Sequence, residues 1–387
     1  MGRLSKQALT VVVAAAIVLA GVALTSPVQA QPQPVSVDTA AAEELLDGYV
    51  ANGHTPGVLL QISTPDGTWS TATGLADTAT AAPMSIDLQH RIGSVTKTFT
   101  TTVVLQLVAD GVLALDDPVE RYVPGVPGGD RITIRMLGDM TSGLADYLAN
   151  DEFYQVLLAD PHRRWSAEEL LAAAYALGPR FVPGTDWSYS NTNTVLLGLV
   201  VENVTGKPFA HVLDEKILTP HGLGHTTYPA GNHFSEHHTA GYTDELPGRP
   251  MTDATYWSPS YGNAAGQMIS TADDLTKWLR LLGTGKLLTP QLHAERLAWR
   301  RVGANRSSSP DTWHYVFGMA DFGGWLGHTG EIFGFQTAAV YHPGRDATIV
   351  LALNTDKQLD GEPAAHALLR ELGRLLFPAD PVDVPVV

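Results

Sequence analysis

Ser94 and Lys97 are the two residues whose types and spacing most directly indicate chemistry. They precede an apolar run, Val103 to Val108, that is typical of a helix, and helical residues three positions apart share one face about one turn apart. A serine hydroxyl is a weak nucleophile until a neighbour accepts its proton. A lysine amine can accept it when burial or nearby cations keep the amine partly neutral. The pair therefore indicates acyl transfer through Ser94, although Ser-x-x-Lys also occurs by chance with the serine as a helix cap.

The segment Tyr189-Ser190-Asn191 offers a second set of polar groups, between a turn at Pro183-Gly184 and a helical pattern. A tyrosine hydroxyl can relay protons, and an asparagine amide can orient a substrate carbonyl. The alternative interpretation is a turn in which Asn191 caps the helix and Tyr189 packs on the core. Taken alone, the segment favours this alternative.

A third set, His328-Thr329-Gly330-Glu331, precedes a strand-like run from Phe333 to Tyr341. A glycine in a strand lets a backbone or a substrate approach closely, and the histidine and threonine beside it could bind an oxyanion or a carboxylate. The alternative is a bulge marked by the glycine, with a surface histidine.

A polar stretch further along contains possible metal ligands, but their spacing matches no strong zinc pattern, since His-Glu-x-x-His is absent. An esterase nucleophile elbow and a phosphate-binding loop are also absent from the sequence. The sequence therefore predicts no metal and no organic cofactor, and a polar loop at the following residues: His221, His225, His233, Glu236, His237 and His238.

Composition excludes several classes of function. The 387 residues are 44% hydrophobic and 17% charged, which is typical of a globular chain of one to three domains. With no cysteine, the chain has no disulfide, no thiolate metal ligand and no cysteine nucleophile. A net charge of −16 without a basic cluster argues against nucleic acid and anionic membrane surfaces as partners.

The N-terminus resembles a secretory signal peptide over residues 1–30. Arg3 and Lys6 give a positive start, Ala8 to Leu24 an apolar core, and Val28-Gln29-Ala30 small residues for cleavage. The alternative is an uncleaved membrane anchor, because the apolar stretch is nearly long enough to span a bilayer. We expect cleavage after Ala30, a polar linker at 31–37, and a protein secreted or held in the cell envelope without a stable membrane anchor.

The elements that must position the three polar sets divide the chain in two. A helix at 38–51, a hairpin with its turn at Thr64-Pro65-Asp66-Gly67, and the Ser94 helix come first, while strand patterns and a closing helix at 363–376 return late. Residues 38–115 and 242–387 therefore predict one discontinuous α/β domain. Residues 116–241 predict a mostly helical inserted domain, with the active site between the two.

The predicted segments are the following. Strands are expected at Gly57–Ile62, Thr68–Gly74, Trp313–Phe317, Phe335–Tyr341 and Ala347–Leu353, and further helices at Ile132–Met140, Ser166–Leu177, Asn193–Val204, Phe209–Ile217 and Ser270–Leu282.

The three polar sets, in this order, resemble the serine β-lactamase and penicillin-recognising superfamily. The nearest branch is that of class C β-lactamases and Streptomyces-type D-alanyl-D-alanine carboxypeptidases. The resemblance extends over nearly all of the chain that follows the leader, and further stretches that carry it are Thr141-Ser142-Gly143-Leu144, Tyr189 to Gly198 and Gly266 to Trp278.

The resemblance implies an α+β fold, an antiparallel sheet flanked by helices with an inserted all-helical domain. It also implies the following roles: Ser94 as acylated nucleophile, Lys97 in its activation, Tyr189 as proton relay, Asn191 holding the substrate amide, His328, Thr329 and Gly330 beside the substrate, and the N–H groups of Ser94 and Glu331 as oxyanion hole. Which group is the general base stays open.

Two departures from the family pattern bear on the activity. His328 stands where β-lactamases and most penicillin-binding proteins carry lysine, which favours the peptidase side. Glu331 stands where the carboxypeptidases tend to carry a small hydroxyl residue, and a carboxylate there would repel a substrate's terminal carboxylate. This leaves room for an esterase or a D-aminopeptidase-like enzyme that recognises an amine, unless strand alternation points the side chain away.

The sequence thus predicts a secreted serine hydrolase, most directly a D-alanyl-D-alanine carboxypeptidase-type peptidase on cell-wall peptides. An esterase or weak β-lactamase is the alternative within the family, and a wall-peptide or β-lactam sensor that acylates without turnover is the alternative outside enzymes. A small peptide, ester or β-lactam is the expected partner, and no obligate protein partner is evident.

Overall fold

The computed structural model describes residues 38–246, 248–249, 251–299 and 313–385. The predicted signal peptide at 1–30 and linker at 31–37 lie outside these residues. The strands are β1 (Gly57–Thr64), β2 (Gly67–Asp77), β3 (Ala82–Pro83), β4 (His90–Arg91), β5 (Tyr242–Thr243), β6 (Thr252–Asp253), β7 (Ile269–Ser270), β8 (Trp313–Val316), β9 (Met319–Phe322), β10 (Leu326–Ile332), β11 (Phe335–His342), β12 (Ala347–Leu353), β13 (Gln358–Leu359) and β14 (Glu362–Pro363).

The helices of the described residues complete the α+β fold. They are α1 (Thr39–Ala51), α2 (Thr96–Ala109), α3 (Ile134–Gly138), α4 (Asp151–Ala159), α5 (Ala167–Ala176), α6 (Asn191–Thr205), α7 (Phe209–Leu213), α8 (Asn263–Gly266), α9 (Ala272–Gly283), α10 (Pro290–Leu297) and α11 (Ala364–Leu376). Within the described residues, no helix is both long enough and apolar enough to cross a bilayer.

One antiparallel sheet of eight strands joins the two ends of the described chain, in the order β3-β2-β1-β12-β11-β10-β9-β8. The early strand β1 pairs with the late strand β12, with Leu60 opposite Leu351. This confirms the prediction that the first and last parts of the chain build one sheet flanked by helices.

Both faces of the central strands are covered, and β1 and β12 are buried along their whole length. On one face α1 and α11 pack through residues such as Leu46 and Leu368. On the other face α9 packs against β11 and β12, with α2 and the remaining helices beyond. Double coverage explains why these strands are continuous apolar runs without a polar alternation.

The helix that carries Lys97 is buried although it is rich in threonine. The hydroxyl of Thr101 donates to the carbonyl of Lys97 at 2.8 Å, and that of Thr102 to the carbonyl of Thr98 at 2.6 Å. Because each hydroxyl is satisfied within its own helix, α2 can run through the core without unpaired polar groups.

Several predicted boundaries differ from the structure. The segment His328–Glu331, predicted to precede a strand, itself lies within the strand β10, which β11 follows, and α6 begins at Asn191 instead of Asn193. The helix predicted at 209–217 ends at Leu213 and continues as a π turn, Asp214–Leu218. The short helix α8 packs against α2 and α6.

A buried histidine makes the fold sensitive to acid. His90 is 3% exposed and contacts the Gln336 carbonyl through Nε2 at 3.2 Å, and burial lowers its pKa to about 3. Below pH about 6.5 the unfolded chain binds a proton at this histidine that the folded protein excludes. The free energy of unfolding therefore decreases as the pH is lowered, by up to about 1.4 kcal/mol per pH unit.

We therefore expect His90→Gln to flatten the decline in the free energy of unfolding between pH about 6.5 and 4.5. Denaturant titrations across this range measure the slope. The control is His211→Gln, because the His211 side chain is exposed. Equal slopes for the two variants would contradict the prediction.

Candidate active site

Ser94 lies in a 3-10 turn, Gly93–Val95, that leads directly into α2. The turn is pressed against β10. Gly93 has φ +49°, and a Cβ there would lie 2.6 Å from the Glu331 nitrogen, while a Cβ on Gly330 would lie 2.1 Å from the Ile92 carbonyl oxygen. Two glycines are therefore needed to bring the turn and the strand together.

Three of the predicted residues meet at one hydroxyl. Lys97 Nζ lies 2.8 Å from Ser94 Oγ, and the Tyr189 hydroxyl lies 2.9 Å from the same oxygen. These distances are within hydrogen-bond range, so either group can exchange a proton with the serine.

Lys97 is completely buried, and its amine also donates to Asn191 Oδ1 at 2.7 Å and to the Ala265 carbonyl at 2.9 Å. Burial lowers the pKa of Lys97 to about 7, against the opposing effect of the Asp146 charge. A large fraction of the amine is therefore neutral near pH 7, which a proton acceptor requires.

Asn191 is held by Asp146, a residue that the sequence analysis did not single out. The backbone N–H and side-chain Nδ2 of Asn191 donate to Asp146 Oδ2 at 3.0 and 2.8 Å. This turns Asn191 Oδ1 toward Lys97. Asn191 is not among the residues that line the adjoining pocket, so its predicted contact with the substrate amide stays a prediction.

Tyr189 is surrounded by protein, and burial raises its pKa above the usual range of a phenol, partly offset by its bond to Ser94. Lys97 Nζ sits 4.9 Å from the centre of the Tyr189 ring. Near neutrality Tyr189 is therefore a protonated hydrogen-bond donor, whereas Lys97 is the neighbour that can take the serine proton.

His328 is buried, in contrast to the alternative of a surface histidine. Its Nε2 contacts the Tyr315 hydroxyl at 3.2 Å and its Nδ1 the Thr329 carbonyl. Burial, and secondly the charge of Lys97, lower its pKa to about 3. The imidazole is therefore neutral and adds no cation to the site.

The N–H groups of Ser94 and Glu331, the predicted oxyanion hole, both lie where the turn at Gly93 meets β10. The two-residue turn Phe333-Gly334 makes Ile332–Phe335 the closing pair of the β10–β11 ladder, so the next pair, Glu331 and Gln336, does not exchange ladder bonds. The Glu331 N–H then points toward the turn at Gly93. Ser94 N–H, in the first turn of a helix, has no partner within that helix.

A pocket of about 480 Å³ opens at Ser94 and is mostly apolar. Thr329 and Gly330 form part of its wall, as the sequence analysis expected of them. The remaining wall is largely aromatic, and its main members are Trp187, Tyr189, Trp313, Tyr315 and Phe322.

Glu331 is among the residues that line this pocket. Its Oε2 accepts from Gln336 Nε2 and from Gln358 Nε2, each at 3.1 Å. Glu331 keeps exposed surface, but the surrounding protein removes its carboxyl group partly from water, which raises its pKa to about 7, with Asp356 adding to the effect.

Histidines of the polar stretch at 221–238 contact nearby protein side chains. His225 Nδ1 lies 2.7 Å from Glu236 Oε2, and His238 Nε2 lies 3.1 Å from the Tyr256 hydroxyl. No group of three His, Asp or Glu side chains in the described part of the chain is arranged to hold a metal.

Asp146, Tyr315 and the tryptophans of the pocket were not predicted as site residues. Asp146 follows the family-like stretch Thr141–Leu144 closely, which is a weak signal of its position. Tyr315 and Trp313 lie two positions apart on β8 and so share one face of that strand, but the sequence does not show that this face meets Ser94.

Known proteins are similar to this chain over most of its length. A family model described as Beta-lactamase matches residues 42–374. Protein flp of Staphylococcus aureus (strain MW2) is 24% identical over 332 residues, which are 82% of this chain and 63% of that protein. A penicillin-binding protein of Bacillus subtilis (strain 168) is 25% identical over 335 residues, 81% of this chain and 70% of that protein. The chain thus spans less than two thirds of the staphylococcal relative.

Two solved structures are similar over almost their whole length. A D-stereospecific amidohydrolase from Streptomyces sp. has a TM-score of 0.77 at 31% identity and covers 88% of this chain and 99% of its own. D-amino acid amidase from Ochrobactrum anthropi SV3, in complex with L-phenylalanine amide, has a TM-score of 0.77 at 28% identity with the same coverage. On these grounds the chain belongs to the Beta-lactamase family of serine hydrolases.

Proposed function

We propose that the protein hydrolyses amides of D-amino acids that carry a free amine, through an acyl-enzyme at Ser94. The observation that carries the proposal is that an acidic residue, Glu331, lines the pocket at Ser94. A cationic amine would be attracted to this carboxylate, whereas a substrate carboxylate would be repelled. The D configuration is suggested by the two solved relatives, which are a D-stereospecific amidohydrolase and a D-amino acid amidase.

The charge of the pocket supports an amine over an acid. Neither lysine nor arginine is found among the described residues that line the pocket, and His328 is neutral. Glu331, with a pKa raised to about 7, ionises fully when a cation binds beside it. An α-amino group has a pKa of about 8, so it is protonated near neutrality.

In the proposed reaction Ser94 Oγ attacks the amide carbon while its proton passes to Lys97 Nζ, 2.8 Å away. The carbonyl oxygen becomes an anion between the N–H groups of Ser94 and Glu331. The C–N bond then breaks, and the leaving nitrogen takes a proton delivered through the Tyr189 hydroxyl, 2.9 Å from Oγ.

Hydrolysis of the ester between the acyl group and Ser94 repeats these steps with water as the nucleophile. Water attacks the acyl carbon, its proton passes to Lys97, and the C–O bond to Ser94 breaks as Oγ is reprotonated. The products are a free D-amino acid and ammonia or an amine. The aromatic wall of the pocket favours acyl groups with large apolar side chains, such as D-phenylalanine.

The test is Glu331→Gln with D-phenylalanine amide as substrate. The amide side chain keeps the backbone N–H and can still accept from Gln336 and Gln358, but it removes the charge. We expect kcat/KM to fall about tenfold or more, mainly through KM, because a charge pair is lost in a partly desolvated cleft.

The control substrate is 3-phenylpropanamide, which has the same ring and amide but no amine. Its kcat/KM should be nearly the same for the variant and the parent protein. An equal loss on both substrates would mean that Glu331 does not recognise the amine. Preference for L- over D-phenylalanine amide would refute the stereochemical part of the proposal.

A D-alanyl-D-alanine carboxypeptidase is the second candidate. It is supported by the half-buried Thr329 in the pocket wall and by the similarity to the Bacillus subtilis penicillin-binding protein. Release of D-alanine from a D-alanyl-D-alanine peptide faster than ammonia from D-phenylalanine amide would favour it. For either substrate we propose an exported enzyme, on the strength of residues 1–30.

A further inference from the structure

The chain turns back after α11, and residues 382–385 reach the active-site pocket. Val384 and Pro385 line the same pocket as Ser94. We propose that residues 382–385, which we call the C-terminal wall, close the pocket at the end away from Ser94 and set the largest acyl group that the enzyme accepts. This inference rests on the proposed acyl-enzyme, but not on the amine-bearing substrate.

The C-terminal wall is packed into the structure. Val382 and Val384 are each 2% exposed, and they belong to the same core cluster as Phe322. The Asp383 N–H donates to the Phe322 carbonyl at 3.1 Å, which ties the wall to β9. A Cβ on Gly373 would lie 2.7 Å from the Val382 nitrogen, so the chain crosses α11 at a glycine.

Polar contacts fix the segment on both sides of this crossing. The Asp380 carbonyl accepts from Trp325 Nε1 at 2.9 Å, and the Asp380 carboxylate accepts from Arg345 Nε at 2.6 Å. Arg370 donates to the Val384 carbonyl at 3.4 Å and to Glu362 at 2.6 Å. With backbone and side chains held at several points, the segment is a fixed wall and not a free arm.

The position of the wall relative to the nucleophile follows from these contacts. Ser94 faces β10 at Gly330, whereas the wall is tied to the neighbouring strand β9 at Phe322. An acyl group bonded to Ser94 extends along the aromatic wall and meets Val384 last. Because Val384 is apolar and well packed, it limits the length of the acyl group by its volume, without a polar contact.

The experiment uses p-nitrophenyl esters of straight-chain acids, from acetate to decanoate, which acylate a serine without any need for an amine. For the parent protein kcat/KM should fall once the chain reaches Val384. Val384→Ala should raise the ratio of kcat/KM for decanoate to that for acetate by about tenfold, as expected for removing a few carbon atoms from a pocket wall. Val384→Phe should lower the same ratio.

Val382→Ala is the matched control. Val382 is as buried as Val384 and lies in the same segment, but it is not among the residues that line the pocket. The Val382→Ala substitution should weaken the packing of the segment and leave the preference for acyl-chain length unchanged. If Val384→Ala and Val382→Ala change the preference equally, or neither changes it, the inference is overturned.

The same assay separates this inference from the proposed function. Ester hydrolysis without hydrolysis of D-phenylalanine amide would refute the amidase and still leave the chain-length preference to decide on the wall. Amide hydrolysis with an unchanged preference in Val384→Ala would refute the wall alone. A parent protein that no ester acylates would refute both.

Discussion

Replacing Ser94 with alanine should lower kcat/KM on D-phenylalanine amide at least about a thousandfold, while the protein stays folded. Ser94 Oγ is the one atom that Lys97 and Tyr189 both contact, at 2.8 and 2.9 Å. Without it neither group has a nucleophile to activate, and no acyl-enzyme can form. Intact-mass spectrometry after incubation with a p-nitrophenyl ester or a penicillin should show an adduct on the parent protein and none on the variant.

Ser190→Ala is the matched control for this loss. Ser190 Oγ is fully buried and has no hydrogen-bond partner within the described residues, and the residue does not line the pocket. Its removal should change kcat/KM by less than about threefold. Turnover by Ser94→Ala that approaches that of Ser190→Ala would refute the acyl-enzyme mechanism.

The contact between Ser94 and Lys97 could be predicted because it is local. Three residues of helix are enough to bring the two side chains together, and the structure places them 2.8 Å apart. The sheet was likewise predictable, since β11 and β12 have strong strand patterns joined by a clear turn. These features depend on neighbours in sequence, whose geometry is nearly fixed by the backbone.

The meeting of Tyr189 with Ser94 could not be predicted from spacing. The two residues are 95 positions apart, and their contact depends on how α6 and α2 pack. They were predicted to share one site only because the sequence resembles a known family. The role of Asp146 is even harder to predict, because a single aspartate in a loop has no pattern that distinguishes it. Its partner Asn191 lies 45 positions away.

The pocket is the least predictable part of the site. Its walls come from β8, β9, β10, the loop before α6 and the segment after α11, so that no single element forms the pocket. Whether Glu331 faces the pocket also depends on the register of β10 with the neighbouring strand β11. Long-range packing decides all of these positions, and packing has no short-range signal in the sequence.

The second large effect is expected at Lys97, whose amine we propose as the general base. Because its pKa is lowered to about 7, the amine is protonated and inactive as a base below that value. kcat/KM should therefore rise with pH through about 7. Lys97→Arg should lower it by about a thousandfold and remove the rise, since a guanidinium keeps its proton at every pH of the assay.

Glu331, whose pKa is also raised to about 7, could produce a similar rise, so the profile must be measured in Glu331→Gln as well. With 3-phenylpropanamide as substrate, which has no amine, the rise should persist in this variant because Lys97 still titrates. His328 and His366 are not its source, since burial lowers their pKa values to about 3 and about 4. Loss of the rise in Glu331→Gln, or turnover by Lys97→Arg above a tenth of the parent rate, would show that the serine proton goes elsewhere than to Lys97.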